Sequence, residues 1–321
     1  MIDERSFSRR TFVQRSMYLG AVALALPHAV LAAPTTLGSF DGVPPVAGGA
    51  APNSIRISLA QWSLNRAIRE GTLDPLDFPR VARANGIAGV EYVNSFYRDK
   101  TLDGAWINDL RGRCDAEGVR SLLIMCDGEG DLGSPSAAER ATSVARHARW
   151  LAVAAQLGCH SIRVNARSEG SPEEQTARLI DGLGALCDRA KPLGLNVIVE
   201  NHGGQSSDGR WLAETLRAVG RPNMGALPDF GNFRKSERDW CDRYAGVAAL
   251  APLAKAVSAK SYDFDASGKE TTIDYPRMLE IVRGADYRGW IGIEYEGERL
   301  SEAQGIVATR DLLVGLGCTL G

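Results

Sequence analysis

The chain has 321 residues, 44% of them apolar, and its 37 Lys and Arg against 39 Asp and Glu give a formal net charge of −2. That balance carries no basic footprint for nucleic acid, and the apolar share is enough to bury a full core. The six cysteines (114, 126, 159, 187, 241, 318) form no CxxC pair or other metal spacing. Several lie in apolar runs such as "SLLIMC", so they read as buried thiols.

The N-terminus carries "SRRTFVQ" (8–14), with Arg9 and Arg10 paired before Phe12, then a mildly apolar stretch ending in small residues near Ala32 and Ala33. Charged start, apolar middle and small-residue end are the grammar of a cleaved export signal, and the arginine pair resembles a twin-arginine signal. Pro27 and His28 interrupt the stretch, which falls short of a clean span of about 20 residues. The expectation is therefore a periplasmic or secreted protein with no stable membrane span after cleavage. Residues 34–53, rich in Gly, Pro and Ala, read as a tether, which leaves 54–321 as one domain.

Within that domain short β-rich runs alternate with helical patterns. The runs are 55–62 "IRISLAQW", 87–94 "IAGVEYVN", 119–126 "VRSLLIMC", 160–165 "HSIRVN", 196–200 "NVIVE", 224–229 "MGALPD", 255–264 "KAVSAKSYDF" and 289–297 "GWIGIEYEG". The clearest helix start lies between the fourth and fifth runs. There Ser171 is placed to cap, Pro172 takes the first turn, and Glu174 sits three after the cap. Nearly continuous apolar strands suit parallel pairing with both faces buried. Eight such units predict a single-domain (β/α)8 barrel, and no GxGxxG follows the first strand to favour an open doubly wound sheet.

Chemistry in such barrels sits at the C-terminal ends of the strands. Those ends carry Trp62, Glu91, Asp127, Arg163, Asn165, Glu200, His202, Asp229, Asn232, Lys260, Glu294 and Glu296. Carboxylates ending strands five, six and eight would converge on one mouth, where they repel one another and are costly to desolvate. One divalent cation (Mn, Mg, Co or Zn) would resolve that conflict. Trp62, ending a strand instead of lying within one, is expected as a wall for a bound ligand, Arg163, Asn165, Asn232 and Lys260 as substrate contacts, Glu91 as a substrate contact or a brace for a neighbouring arginine, and Glu296 as structural. His202, presented by the turn "HGG", is expected to orient substrate or to serve as a further metal ligand. An ion pair between Glu294 and Arg163 is the structural alternative to a catalytic Glu294.

The motifs "GVEYVN", "VENHGG", "PDFGNF" and "GIEYEG" resemble the xylose-isomerase-like TIM-barrel superfamily over about 55–316. That resemblance implies metal ligands at Glu200, Asp229 and Glu294, with Glu200 and Glu294 also moving the protons of an isomerase or epimerase. The family's strand-seven pattern, His-x-Lys, stands here as Ser258 to Lys260. The metal would then rest on three carboxylates and water, or take His202 as fourth ligand, or be replaced by the charge of Lys260. The function implied is a metal-assisted isomerase or epimerase acting on a keto-sugar. The same site would serve a lyase or hydrolase of keto-glycosides, and a barrel without chemistry would simply bind sugar. The DNA-repair branch is disfavoured, since three histidines remain after signal removal. The oligomeric state stays open, a homo-oligomer included.

Overall fold

A computed structural model describes residues 55–100 and 104–321. The expected export signal and tether lie outside those residues. Eight parallel strands alternate with helices in chain order. The strands are β1 (Arg56–Ala60), β2 (Gly89–Val93), β3 (Arg120–Met125), β4 (Ser161–Asn165), β5 (Asn196–Glu200), β6 (Met224–Leu227), β7 (Val257–Ser261) and β8 (Trp290–Tyr295). Between and after them run α1 (Asn65–Arg69), α2 (Phe78–Ala84), α3 (Ala105–Glu117), α4 (Ala137–Leu157), α5 (Pro172–Ala190), α6 (Gly209–Val219), α7 (Arg243–Leu250), α8 (Tyr275–Gly284) and α9 (Glu302–Gly315). This is the (β/α)8 barrel expected. Several strands stop before their apolar runs do, because the last residues of those runs turn into loops and carry the polar side chains of the mouth.

The hydrogen-bonded order is β6-β5-β4-β3-β2-β1-β8-β7, and the ring closes between β6 and β7. That seam has no regular ladder, only bridges at Ala226 with Ala254 and Asp229 with Ser258. Pro228, with no N–H to donate, falls in the middle of it. A short β9 (Thr319–Leu320), absent from the sequence reading, adds to the start of β1.

Helix boundaries follow local chemistry. Ser171 caps α5 with its side chain accepting from Glu174 N–H, and Glu174 reaches back to Ser171 N–H at 2.8 Å, the capping box expected. Ser301 and Gln304 repeat that device on α9. Asp208 caps α6, whose buried stripe of Leu212, Ala213, Leu216 and Val219 faces the sheet.

Two apolar layers result. One lies between sheet and helices; the other fills the barrel with Ala60, Val93, Leu123, Met125, Ile198, Leu227 and Ala256. Side chains alternate along a strand. Ile198, Leu227 and Ala256 therefore form an apolar floor two residues below Glu200, Asp229 and Ser258. None of the six cysteines is bonded to another. No described helix is long and apolar enough to cross a membrane.

Candidate active site

Glu200, Asp229 and Glu294 end or follow β5, β6 and β8, and all three are buried. Each offers one oxygen to a group whose atoms lie within 4.8 Å of one another. Asp229 is held by its own loop, its Oδ1 accepting from Gly231 N–H at 2.8 Å and Asn232 N–H at 2.7 Å. The Asn232 amide donates to Glu200 Oε1 at 2.8 Å. Behind them the buried Asn201 accepts from Asp229 N–H at 2.8 Å and donates to the carbonyls of Asp229 and Asn232. The β5 and β6 loops are thus laced together, with Asp229 Oδ2 left facing the barrel axis.

On β7, two side chains reach the same spot. Ser258 Oγ lies 2.8 Å from Asp229 Oδ2 and 2.8 Å from Glu294 Oε2. One hydroxyl owns one proton and can donate to only one of them. The second contact therefore needs a proton on the carboxyl or a cation nearby. Lys260 Nζ is 3.2 Å from Glu294 Oε1, 3.4 Å from Glu296 Oε1 and 3.7 Å from Asp229 Oδ2, with 1% of its side chain exposed. On β4, Arg163 places Nη1 2.8 Å from Asp127 Oδ1 and Nε 2.8 Å from Glu200 Oε2. Asn165 also donates to Asp127, at 2.7 Å. Arg163 therefore pairs with Asp127 and Glu200, while Lys260 takes Glu294, so the structural alternative of a Glu294–Arg163 bridge is not formed. The reason is strand order: β4 is hydrogen-bonded to β5, and β7 to β8.

Burial and this charge pattern set the protonation states. Desolvation is the largest influence on Glu200, pushing it up to about 7 against the pull of Arg163, with Glu294 adding to the rise. Desolvation does the same to Asp229, also to about 7, opposed by Lys260. Glu294 resists its own desolvation because Lys260 and Ser258 hold it below the usual range. When no cation is bound, the shared proton of the Ser258 contacts therefore belongs on Asp229. His202 is held low by burial, then by Arg163 and Lys260, so its ring is neutral at physiological pH.

The carboxylates of Asp127, Glu200, Asp229, Glu294 and Glu296 face the cations of Arg163 and Lys260, five against two. Fully ionised, that group would carry a surplus of three negative charges, the condition a divalent cation relieves and, without one, a proton on Asp229 relieves in part. Glu200 Oε2 supports the fit, since it is buried and accepts no hydrogen bond; Arg163 Nε is close but poorly aligned. Glu200, Asp229 and Glu294 would hold the ion. His202 is not in the group, and the position between Asp229 and Glu294 is taken by Ser258. The His202 loop turns as "HGG" requires, with Gly203 and Gly204 at φ of 81° and 57° and His202 N–H donating to Ser206 Oγ.

Glu91 lies deeper. It accepts from Ser58 Oγ at 2.6 Å, its Oε2 has no partner, and a Cβ at position 292 would meet both carboxyl oxygens at 2.6 Å. Gly292 thus makes room for a carboxyl that desolvation, aided by Glu294 and Glu200, pushes up to about 8. At the rim, the half-buried Trp62 stacks on Phe96 with centroids 6.2 Å apart and donates Nε1–H to Glu296 at 2.5 Å. In the sequence, Glu296 reads as structural, Asp127 only as a strand end, and nothing singles out Asn201. Glu296 was within reach, being two residues beyond Glu294 on the same face of a strand.

Fold and mouth together define a (β/α)8 barrel with a polar, acid-rich centre at the ends of its strands. Residues 79–314 match the xylose isomerase-like TIM barrel family, and the chain belongs to it. No curated protein sequence is significantly similar to it. Among solved structures, it resembles D-psicose 3-epimerase from Clostridium cellulolyticum H10, solved with D-tagatose. That likeness has a TM-score of 0.65 at 12% identity and covers 83% of this chain and 100% of the other. The 3-keto-D-glucoside 4-epimerase YcjR of E. coli matches with a TM-score of 0.59 at 17% identity, over 75% of this chain and 94% of its own. The IolI protein, solved with a zinc atom, matches with a TM-score of 0.61 at 12% identity, over 82% and 98%.

Proposed function

We propose that the chain is a metal-assisted isomerase or epimerase of keto-sugars, free or glycosidic, that moves a proton beside a carbonyl with Glu200 and Glu294. The observation that carries this reading is the placing of two buried glutamates on β5 and β8, with an oxygen of each within 4.8 Å of the other and of one from Asp229. Names of two structural relatives, both epimerases of sugar substrates, support the substrate class.

In this mechanism Glu200 takes the proton from the carbon beside the carbonyl, and the C–H electron pair moves onto the carbonyl oxygen to give an enediolate. Glu294 returns a proton to the opposite face; its resting carboxylate, held ionised by the Lys260 ammonium 3.2 Å away, first takes that proton from solvent or from a substrate hydroxyl. A bound divalent ion supplies polarisation of the carbonyl and adjacent hydroxyl. Asp127, Asn165 and Asn232 offer acceptors and donors for sugar hydroxyls, and Trp62 with Phe96 offers an apolar wall. Arg163 is already balanced by two carboxylates, so it favours a neutral sugar over an anionic one. The arginine pair Arg9 and Arg10 supports export, which would place the enzyme where unphosphorylated sugars and glycosides are available.

The test is incubation with ketohexoses and keto-glycosides in heavy water, followed by NMR. Deuterium should appear at the carbon beside the carbonyl, and Glu200→Gln or Glu294→Gln should slow its entry by about 10²–10⁴-fold. Loss of a leaving group instead would assign the lyase reading. Bound sugar without exchange would assign a barrel that only binds.

A further inference from the structure

We propose that Ser258 sets the metal preference of this site, by replacing any nitrogen or sulfur ligand with oxygen and so weakening the advantage of zinc over magnesium and manganese. The inference rests on the reading of a divalent ion held by Glu200, Asp229 and Glu294, and goes beyond it to which ion the site favours.

Residue 258 is bridged to Asp229 across the β6–β7 seam and stands opposite Gly292 in the β7–β8 ladder. Gly292 has no side chain to intervene, so the tip of residue 258 reaches both flanking carboxylates. Its Oγ is 2.8 Å from Asp229 Oδ2 and 2.8 Å from Glu294 Oε2. Neighbouring ligands of an octahedral ion with bonds of about 2.1 Å are separated by about 3 Å. The serine oxygen is therefore spaced from two candidate ligands as a third ligand would be. An atom standing there touches two of the three carboxylates that would hold the ion.

Carboxylates and hydroxyls suit magnesium and manganese, imidazole suits zinc, and thiolates select softer ions still. Among the described residues the ion-holding group contains carboxylates only, and His202 does not join it. Cys126, which follows β3, is likewise outside the group. Zinc binds most sites more tightly than magnesium whatever the ligands. Ser258 therefore acts on the ratio of the two affinities, not on their order.

The experiment titrates chelator-stripped protein with magnesium, manganese, zinc and cadmium by calorimetry, comparing wild type with Ser258→Cys and Ser258→His. Cysteine has the shape of serine, so that variant keeps the packing even where histidine does not. In Ser258→Cys the zinc and cadmium affinities should rise at least about tenfold relative to magnesium. Its cobalt or cadmium complex should also show thiolate-to-metal charge-transfer absorption that wild type lacks. Equal shifts for all four ions with no new absorption would overturn the role of Ser258 while leaving the metal reading intact. A wild type that binds none of the ions would overturn the metal reading itself.

Discussion

Lys260 Nζ lies 3.2 Å from Glu294 Oε1, and neither side chain is more than 5% exposed. An ion pair taken this far out of water recovers its desolvation only through close geometry, and removing one partner leaves a buried charge without compensation. In chelator-stripped protein, Lys260→Met should cost about 3–5 kcal/mol in denaturant unfolding, and adding Glu294→Gln should return much of it. Additive costs in the double variant would show that the two do not act as a pair.

Glu91 ties stability to pH. Its folded value, about 8, lies above the ordinary 4.5, so the fold prefers the protonated carboxyl. That contribution is complete below the ordinary value and is lost as pH rises towards 8, at about 1.4 kcal/mol per pH unit. Glutamine cannot ionise. Urea unfolding of Glu91→Gln between about pH 5 and pH 8 should therefore gain on wild type as pH increases. Parallel curves would mean that the carboxyl stays ionised in the fold.

The wall at the rim can be tested separately from the chemistry. Trp62→Phe keeps a ring against Phe96 but loses the N–H that Glu296 accepts, whereas Trp62→Ala loses both. Aromatic pairing is worth about 0.5–1.5 kcal/mol beyond buried area. Sugar binding in Trp62→Ala should weaken by about three- to tenfold or more, with kcat changing much less. A fall in kcat alone would move Trp62 from wall to the Glu296–Lys260–Glu294 line.

Caps whose side chains bond only within their own helix starts offer a control. Ser171→Ala and Ser301→Ala each remove a capping box and should cost about 1 kcal/mol of stability. Exchange activity at moderate temperature should stay at the wild-type level. Thermal unfolding and the heavy-water assay together check both halves.

Much of this protein is written locally. "NVIVE" is at once a buried parallel strand and the carrier of an acid at its end, and Ser171, Pro172 and Glu174 announce α5 without help from any other segment. Contacts across the barrel are another matter. A serine inside the apolar run "VSAKS" gives no hint that it will touch Asp229 and Glu294, since that depends on which strands flank β7 once the ring is shut. Gly292 looks like a flaw in a strand until Glu91 is seen to fill the space it leaves. Arg163 could have reached either of two glutamates on local grounds, and strand order decided for Glu200. Such through-space choices are settled by radial packing, which no periodicity reports.

The seam between β6 and β7 has a consequence for dynamics. Where other neighbouring strands share ladders, these two are joined by bridges at Ala226 and Asp229, with Pro228 unable to donate between them. Local opening costs least where few backbone hydrogen bonds must break. The amides of Lys255, Ser258 and Phe230, which cross the seam, belong among the earliest of the strand amides to exchange with solvent. Asp229 stands on one side of that seam, with Lys260 on the other and Glu294 on the strand beyond. A ligand gripping Asp229 and Glu294 together would be a clasp on the barrel as well as an occupant of it. Slower exchange at those three amides would report its arrival before any turnover is measured.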